Sequence, residues 1–312
     1  MKKNRIAVIL TAVTAVLGCI IAVMTYYFYD APSYAGPIID NHAHVFPGKG
    51  GQRAYMDKLI SAMDRAGVAK IVLGLNAKHG SFGSAFDSIH DAWVREASGR
   101  YPERIYPALG GFDPRLESSV EYVKGQLETG FWKAIGELDL RNIAKHQQIP
   151  ADSPVMMKIY SLAARHHVPV SIHYNYDYGT DFQSGVQEFE RAVAGNPDTI
   201  FITAHQINAR LMEKHPNLWG EYEYRPWNPP LRESVGKNNS LLNRIVVGTD
   251  IQEPDLVCLQ RKRPGEKRVP IPYEELIRRT RKELGKLPPE LAEKAAYKNL
   301  QDLIKGNQGS GR

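Results

Sequence analysis

Between Ile38 and Gly248 the chain repeats one pattern: a short apolar, β-branched run, then a stretch whose apolar residues recur at helical spacing. The runs are Ile38 to Asp40, Lys70 to Leu75, Arg104 to Leu109, Trp132 to Leu138, Val168 to His173, Thr199 to Ala204, Asn217 to Tyr222 and Arg244 to Gly248. Strands alternating with amphipathic helices predict βαβ units and a parallel sheet. Eight runs spaced by roughly 25 to 35 residues predict a (β/α)8 TIM barrel, whose usual length is about 250 residues. A doubly wound open sheet is the alternative, but no G-x-G-x-x-G follows the first run and there is no P-loop. Between the first two runs, Tyr55, Leu59, Ile60 and Met63 mark a helix that Gly67 ends. Two closing helices are expected over Tyr273 to Leu284 and Pro289 to Lys305.

In such a barrel the active site lies at the C-terminal ends of the strands. There stand His42 and His44 after the first run, Glu137 and His173 at the ends of the fourth and fifth, His205 after the sixth, and Asp250 after the eighth. The i, i+2 spacing of His42 and His44 puts both imidazoles on one side of a strand. Metal-ligand types at five separate strand ends predict a metal centre. Imidazoles and carboxylates suit zinc, or manganese or iron, and not calcium. A divalent ion lowers the pKa of bound water to about 7 and polarises a carbonyl or phosphoryl oxygen. Asp250 is the expected proton carrier, and His205, where it is not a ligand, would stabilise developing negative charge.

Substrate contacts are expected from Tyr174, Asn175 and Tyr176 after the fifth run, Arg225 and Trp227 after the seventh, Lys78 and His79 after the second, and Arg141 after the fourth. Arg141 and Arg225 can grip a carboxylate or phosphate as a fork, or sit in ordinary salt bridges. Glu137 paired with Arg141 instead of a metal is the plain alternative. His90, His146, His166, His167 and His215 lie away from the strand ends and read as structural.

Ile39-Asp40-Asn41-His42-Ala43-His44, Gly111-Phe112-Asp113-Pro114-Arg115, Pro169-Val170-Ser171-Ile172-His173, Thr203-Ala204-His205, Val247-Gly248-Thr249-Asp250 and Lys298-Asn299-Leu300 together resemble the amidohydrolase superfamily, and its amidohydrolase-related branch in particular. The resemblance spans essentially Ile38 to Lys305. It implies His42, His44, His173 and Asp250 as metal-site residues, and His205 as a second-metal ligand or a catalytic residue. Ala134-Ile135-Gly136-Glu137-Leu138-Asp139-Leu140 resembles the fourth-strand motif of TatD-like and phosphotriesterase-like members, where a glutamate or a carboxylated lysine bridges two metals. Lys133 stands too early in the strand for that role, which leaves Glu137 as the bridge candidate.

The amino terminus is a separate element. Lys2, Lys3 and Arg5 precede a run without charge from Ile6 to Phe28, and about 20 such residues cross a bilayer as a helix. The expected division is therefore a signal anchor over 1–30, a linker over 31–37, the barrel over 38–305 and a tail over 306–312. An anchor with its positive end in the cytoplasm puts the barrel outside it. A cleavage site at Ser33-Tyr34-Ala35 and a loose lipobox ending at Cys19 are the alternatives. Cys258 is the other cysteine, so the exported part has no internal disulfide. The net charge of +6 is concentrated at Arg261, Lys262, Arg263, Lys267 and Arg268 and at Arg278, Arg279, Arg281 and Lys282. These read as a solvated face or a contact with an anionic surface. No nucleic-acid partner is expected.

Three functions are weighed. The first is a metal-dependent hydrolase of a small ester, lactone, amide or phosphoester. The second is non-oxidative decarboxylation of an aromatic or unsaturated acid, and the third a barrel that binds without catalysis. The substrate and the oligomeric state are not fixed by the sequence.

Overall fold

The computed structural model describes residues 33–45, 51–75, 88–142, 147–175, 182–223, 239–251, 255–260, 267 and 269–309. All eight apolar runs form strands: β1 (Ile38–Val45), β2 (Val68–Leu75), β3 (Ile105–Leu109), β4 (Ala134–Asn142), β5 (Val170–Tyr174), β6 (Phe201–Thr203), β7 (Leu218–Tyr222) and β8 (Ile245–Val247). Each pairs in parallel with the next, β3 with β4 included, and β8 pairs with β1, so the sheet closes into the expected barrel. Helices α1 (Gly51–Ala66), α2 (Ser88–Arg100), α3 (Ser118–Glu128), α4 (Pro154–Arg165), α5 (Phe182–Ala194) and α6 (Ala209–Lys214) connect them.

Strand alternation divides the core in two. Ile38, Ile71, Ile105, Val170 and Phe201 face out and pack with the helices in one cluster. Ile39, Val72, Tyr106, Ala108, Ile202 and Val246 form an inner cluster that also contains Leu300 and Ile304. Asn299, beside them, donates to the carbonyls of Leu242 and Ile245 at 2.7 and 2.8 Å, which ties the last helix to the start of β8.

Two strands break this alternation where the candidate ligands stand. β1 shifts register on β2 between Asp40 and Ala43, and β4 shifts on β5 between Ile135 and Leu138. In each case the bulged strand carries one residue more than its partner and the parity of its side chains reverses. Hence Asn41 and His42 line the same internal cavity although they are consecutive, as do Gly136 and Glu137.

The closing helix α7 (Tyr273–Leu284) has its expected bounds, whereas the second is divided into α8 (Pro289–Glu293), a π turn at Lys294–Lys298 and α9 (Asn299–Gly309). An antiparallel hairpin of β9 (Val257–Gln260) and β10 (Val269–Pro272) was not expected. The basic residues of α7 are largely spoken for. Arg278 and Arg279 pair with Glu275, and the Arg281 guanidinium donates to the carbonyls of Tyr34, Gly36, Ala66 and Gly67. The linker thus enters at the N-terminal end of β1, opposite the strand ends where the candidate ligands sit. No helix among the described residues is long and apolar enough to cross a membrane. The run from Ile6 to Phe28, and Arg261, Lys262, Arg263 and Arg268, lie outside those residues.

Candidate metal centre

The six residues expected at the strand ends converge. His42 and His44 leave β1 with their Nε2 atoms 3.0 Å apart. Glu137 Oε2 lies 3.3 Å from His42 Nε2 and 3.6 Å from His44 Nε2, and Asp250 Oδ1 lies 3.1 Å from His44 Nε2. On the other side, Glu137 Oε1 is 3.0 Å from both His173 Nδ1 and His205 Nε2. Among the described residues four overlapping groups bring their donor atoms within 4.8 Å of one another. Two are built wholly from the expected residues, His42, His44, Glu137 and Asp250 in one donor set and Glu137, His173 and His205 in the other; the remaining two join Glu221 to His42 and His205, and Glu223 to His205 and Asp250. Glu137 is common to both donor sets and turns one oxygen to each. Asp250 also spans them, its Oδ2 lying 3.9 Å from His205 Nε2.

Backbone conformation aims several of these groups. Gly136, at φ +108, lies beneath the β4 bulge, and a Cβ there would stand 2.3 Å from the Ser171 carbonyl oxygen. His205 and Asp250 hold φ +62 and +51, sparsely populated for side chains other than glycine. Asp40 secures the segment before Asp250: its carboxylate receives the Thr249 amide at 3.0 Å, the Thr249 hydroxyl at 2.7 Å and the Tyr273 hydroxyl at 3.1 Å. Burial outweighs these bonds and pushes the Asp40 carboxyl up to about 6.

The charges respond to one another. Burial alone would lower the His42 and His205 pKa values, but facing carboxylates reverse it. Glu221 and Glu137 hold His42 well above its ordinary value, and Asp250, Glu223 and Glu137 do so for His205. Burial would likewise raise Glu137 and Asp250, yet the surrounding imidazoles hold both below the usual carboxylate range.

Comparison with known proteins rests on structure alone: no family model and no curated protein matches the sequence. A solved amidohydrolase II superposes with TM-score 0.57 at 13% identity, over 86% of this chain and 99% of its own. The chain shares that structure's fold. A 4-oxalomesaconate hydratase from Rhodopseudomonas palustris gives TM-score 0.58 at 13% identity, over 86% of this chain and 95% of the other. A 5-carboxyvanillate decarboxylase from Novosphingobium aromaticivorans, complexed with manganese and 4-hydroxy-3-methoxy-5-nitrobenzoic acid, gives 0.55 at 14%, over 80% and 79%. The (β/α)8 barrel expected from the sequence is thus observed, and these solved structures share it.

The expected substrate contacts fare unevenly. Tyr174 is a correction: even-numbered β5 residues face outward, so its ring packs on Phe189 and its hydroxyl donates to Glu188 of α5 at 2.7 Å, away from the mouth. Arg141 does not pair with Glu137. It is buried and donates to the Asn175 carbonyl at 3.1 Å, joining the ends of β4 and β5. Tyr176, Arg225, Trp227, Lys78 and His79 lie outside the described residues, as does His146. His90, His166, His167 and His215 do not enter either donor set. Asp113, in the stretch Gly111-Phe112-Asp113-Pro114-Arg115, also stays apart, holding Arg115 in a local turn.

Two residues were missed. Glu221 and Glu223, fully and nearly buried on and just after β7, contact His42 and His205. The available signal was their i, i+2 spacing inside Trp219-Gly220-Glu221-Tyr222-Glu223, where acids alternate with residues that pack outward.

Proposed function

We propose that this chain is a member of the amidohydrolase superfamily that hydrolyses a small ester, lactone, amide or phosphoester with two divalent ions. The supporting observation is Glu137, whose two carboxylate oxygens each stand against a different set of imidazoles. The donors fit the ions by chemistry, since every ligand is an imidazole nitrogen or a carboxylate oxygen, as zinc and manganese accept. His42, His44 and Asp250 would hold one ion, His173 and His205 the other, with Glu137 shared. When bound, such ions would lower the pKa of water and polarise the carbonyl or phosphoryl group whose carbon or phosphorus the water attacks.

The chain's own residues supply access and proton movement. His42 and Glu137 side chains are 3% and 6% exposed, against 17%, 15% and 16% for His173, His205 and Asp250. Substrate and water therefore approach over His173, His205 and Asp250, while the buried pair closes the site from below. Asp250 faces both donor sets, so it can take the proton of the attacking water and return it to the leaving group.

A second reading, decarboxylation of an aromatic or unsaturated acid, draws support from the decarboxylase that shares this fold. Turnover assays on an ester, lactone, amide and phosphoester panel, run beside CO2 release from aryl carboxylic acids, separate the two. Hydrolysis by the zinc- or manganese-loaded chain supports the first reading, and CO2 release without hydrolysis replaces it. Lys2, Lys3 and Arg5 ahead of the uncharged run support a membrane anchor with the barrel outside the cytoplasm. Recovery of the chain in the soluble fraction after cell lysis, at its full mass, would refute the anchor.

A further inference from the structure

Resting on the two-ion reading, we infer that Glu221 and Glu223 are positioning residues, each fixing the imidazole of a different donor set so that its ligand nitrogen faces the ion. Strand alternation sends both side chains inward from neighbouring positions of one face. Glu221 Oε1 lies 2.8 Å from His42 Nδ1 and 3.2 Å from the His205 amide nitrogen, while its Oε2 receives Asn41 Nδ2 at 2.7 Å. These contacts hold the carboxylate in one orientation. The β8 backbone leaves room for it only at glycine: a Cβ on Gly248 would lie 2.4 Å from Glu221 Cδ. Glu223 Oε1 is hydrogen-bonded to His205 Nδ1.

A carboxylate facing Nδ1 places the ring proton there and leaves the Nε2 lone pair free. For His42 that Nε2 belongs with His44 and Asp250; for His205 it meets Glu137 Oε1 in the set of His173. One strand thus serves both sets through different side chains. The charges agree: Glu137, Asp250, Glu221 and Glu223 carry a formal −4 among neutral imidazoles, which two divalent cations balance.

The test uses the full chain in detergent, loaded with zinc, with ion content and affinity read by chelator competition, and folding read by circular dichroism and Tm. His173→Ala leaves the set of His42 and His44, and His44→Ala leaves that of His173 and His205. Glu221→Gln in the His173→Ala background should weaken zinc about 10- to 100-fold, and Glu223→Gln there should not. In the His44→Ala background the order reverses. If Glu221→Gln does not fold, Glu221→Asp, which retracts the oxygens from His42, is read the same way. Equal weakening of both sets by either variant, or a lower Tm with zinc affinity unchanged, overturns the inference and leaves the two-ion reading standing. Wild type that binds no zinc overturns that reading, and this inference with it.

Discussion

Two of the candidate ligand imidazoles, His42 and His205, face carboxylates that favour their protonated form. Against the pull of burial, Glu221 and Glu137 raise the His42 pKa and Asp250 and Glu223 raise that of His205, so both rings hold their protons more firmly than a free imidazole does in the metal-free chain. An arriving cation must expel those protons, so metal affinity falls as pH falls. Titration calorimetry in buffers of differing ionisation enthalpy should show about two protons released per chain near pH 7; no release would contradict the charge arrangement. Stability has its own sign. The raised histidines contribute below 6.5 and lose that contribution as pH rises through their folded values. The depressed Glu137 and Asp250 contribute above 4.5 and 3.8 and lose it as pH falls. The metal-free chain should therefore have its highest Tm between these limbs, and zinc should extend stability to higher pH. Asp250→Asn keeps the shape but removes the proton acceptor, and kcat per bound zinc should fall about 10²- to 10⁴-fold.

At the level of elements, the two bulges carry the site. Without the β4 bulge Glu137 would share the outward parity of Ile135, and without the β1 bulge His42 would point opposite to Asn41. Gly136→Ala tests this: a Cβ would meet Ser171 O at 2.3 Å and Leu138 N at 2.8 Å at a φ of +108. We expect a loss of about 3 kcal/mol or more, read as a lower denaturation midpoint, together with loss of metal binding. The bulges also mark the limit of what the sequence discloses. Each strand and the bounds of α7 were legible because long β-branched runs and helical periodicity leave few alternatives. So was the convergence of His42, His44, Glu137, His173, His205 and Asp250, because a closed parallel barrel collects its strand ends. Which oxygen of Glu137 meets which imidazole was not, since a one-residue register shift leaves no mark in composition. Glu221 and Glu223 escaped notice because acids make a run resemble a weak strand, when here they are buried by their partners. Tyr174 was misassigned because its outward parity depends on the strand's register, not on its closeness to His173.

For the whole molecule, the direction of the barrel matters. The linker is held by Arg281 at the N-terminal face, and the donor sets open at the other. An anchor ahead of the linker would then turn the mouth away from the bilayer, toward water-soluble substrates. Reconstitution into vesicles should leave kcat/KM for such a substrate unchanged from that in detergent; a fall on reconstitution would mean the mouth faces the membrane. Chelation should lower Tm, because a cation that binds only the folded chain stabilises it by mass action. The central claim is that Glu137 is shared between two divalent ions, and metal content of the purified, zinc-loaded chain tests it most directly. Two ions per wild-type chain, and fewer after Glu137→Gln in a folded protein, is the result predicted. No stoichiometric ion, or a single ion unaffected by Glu137→Gln, would contradict it.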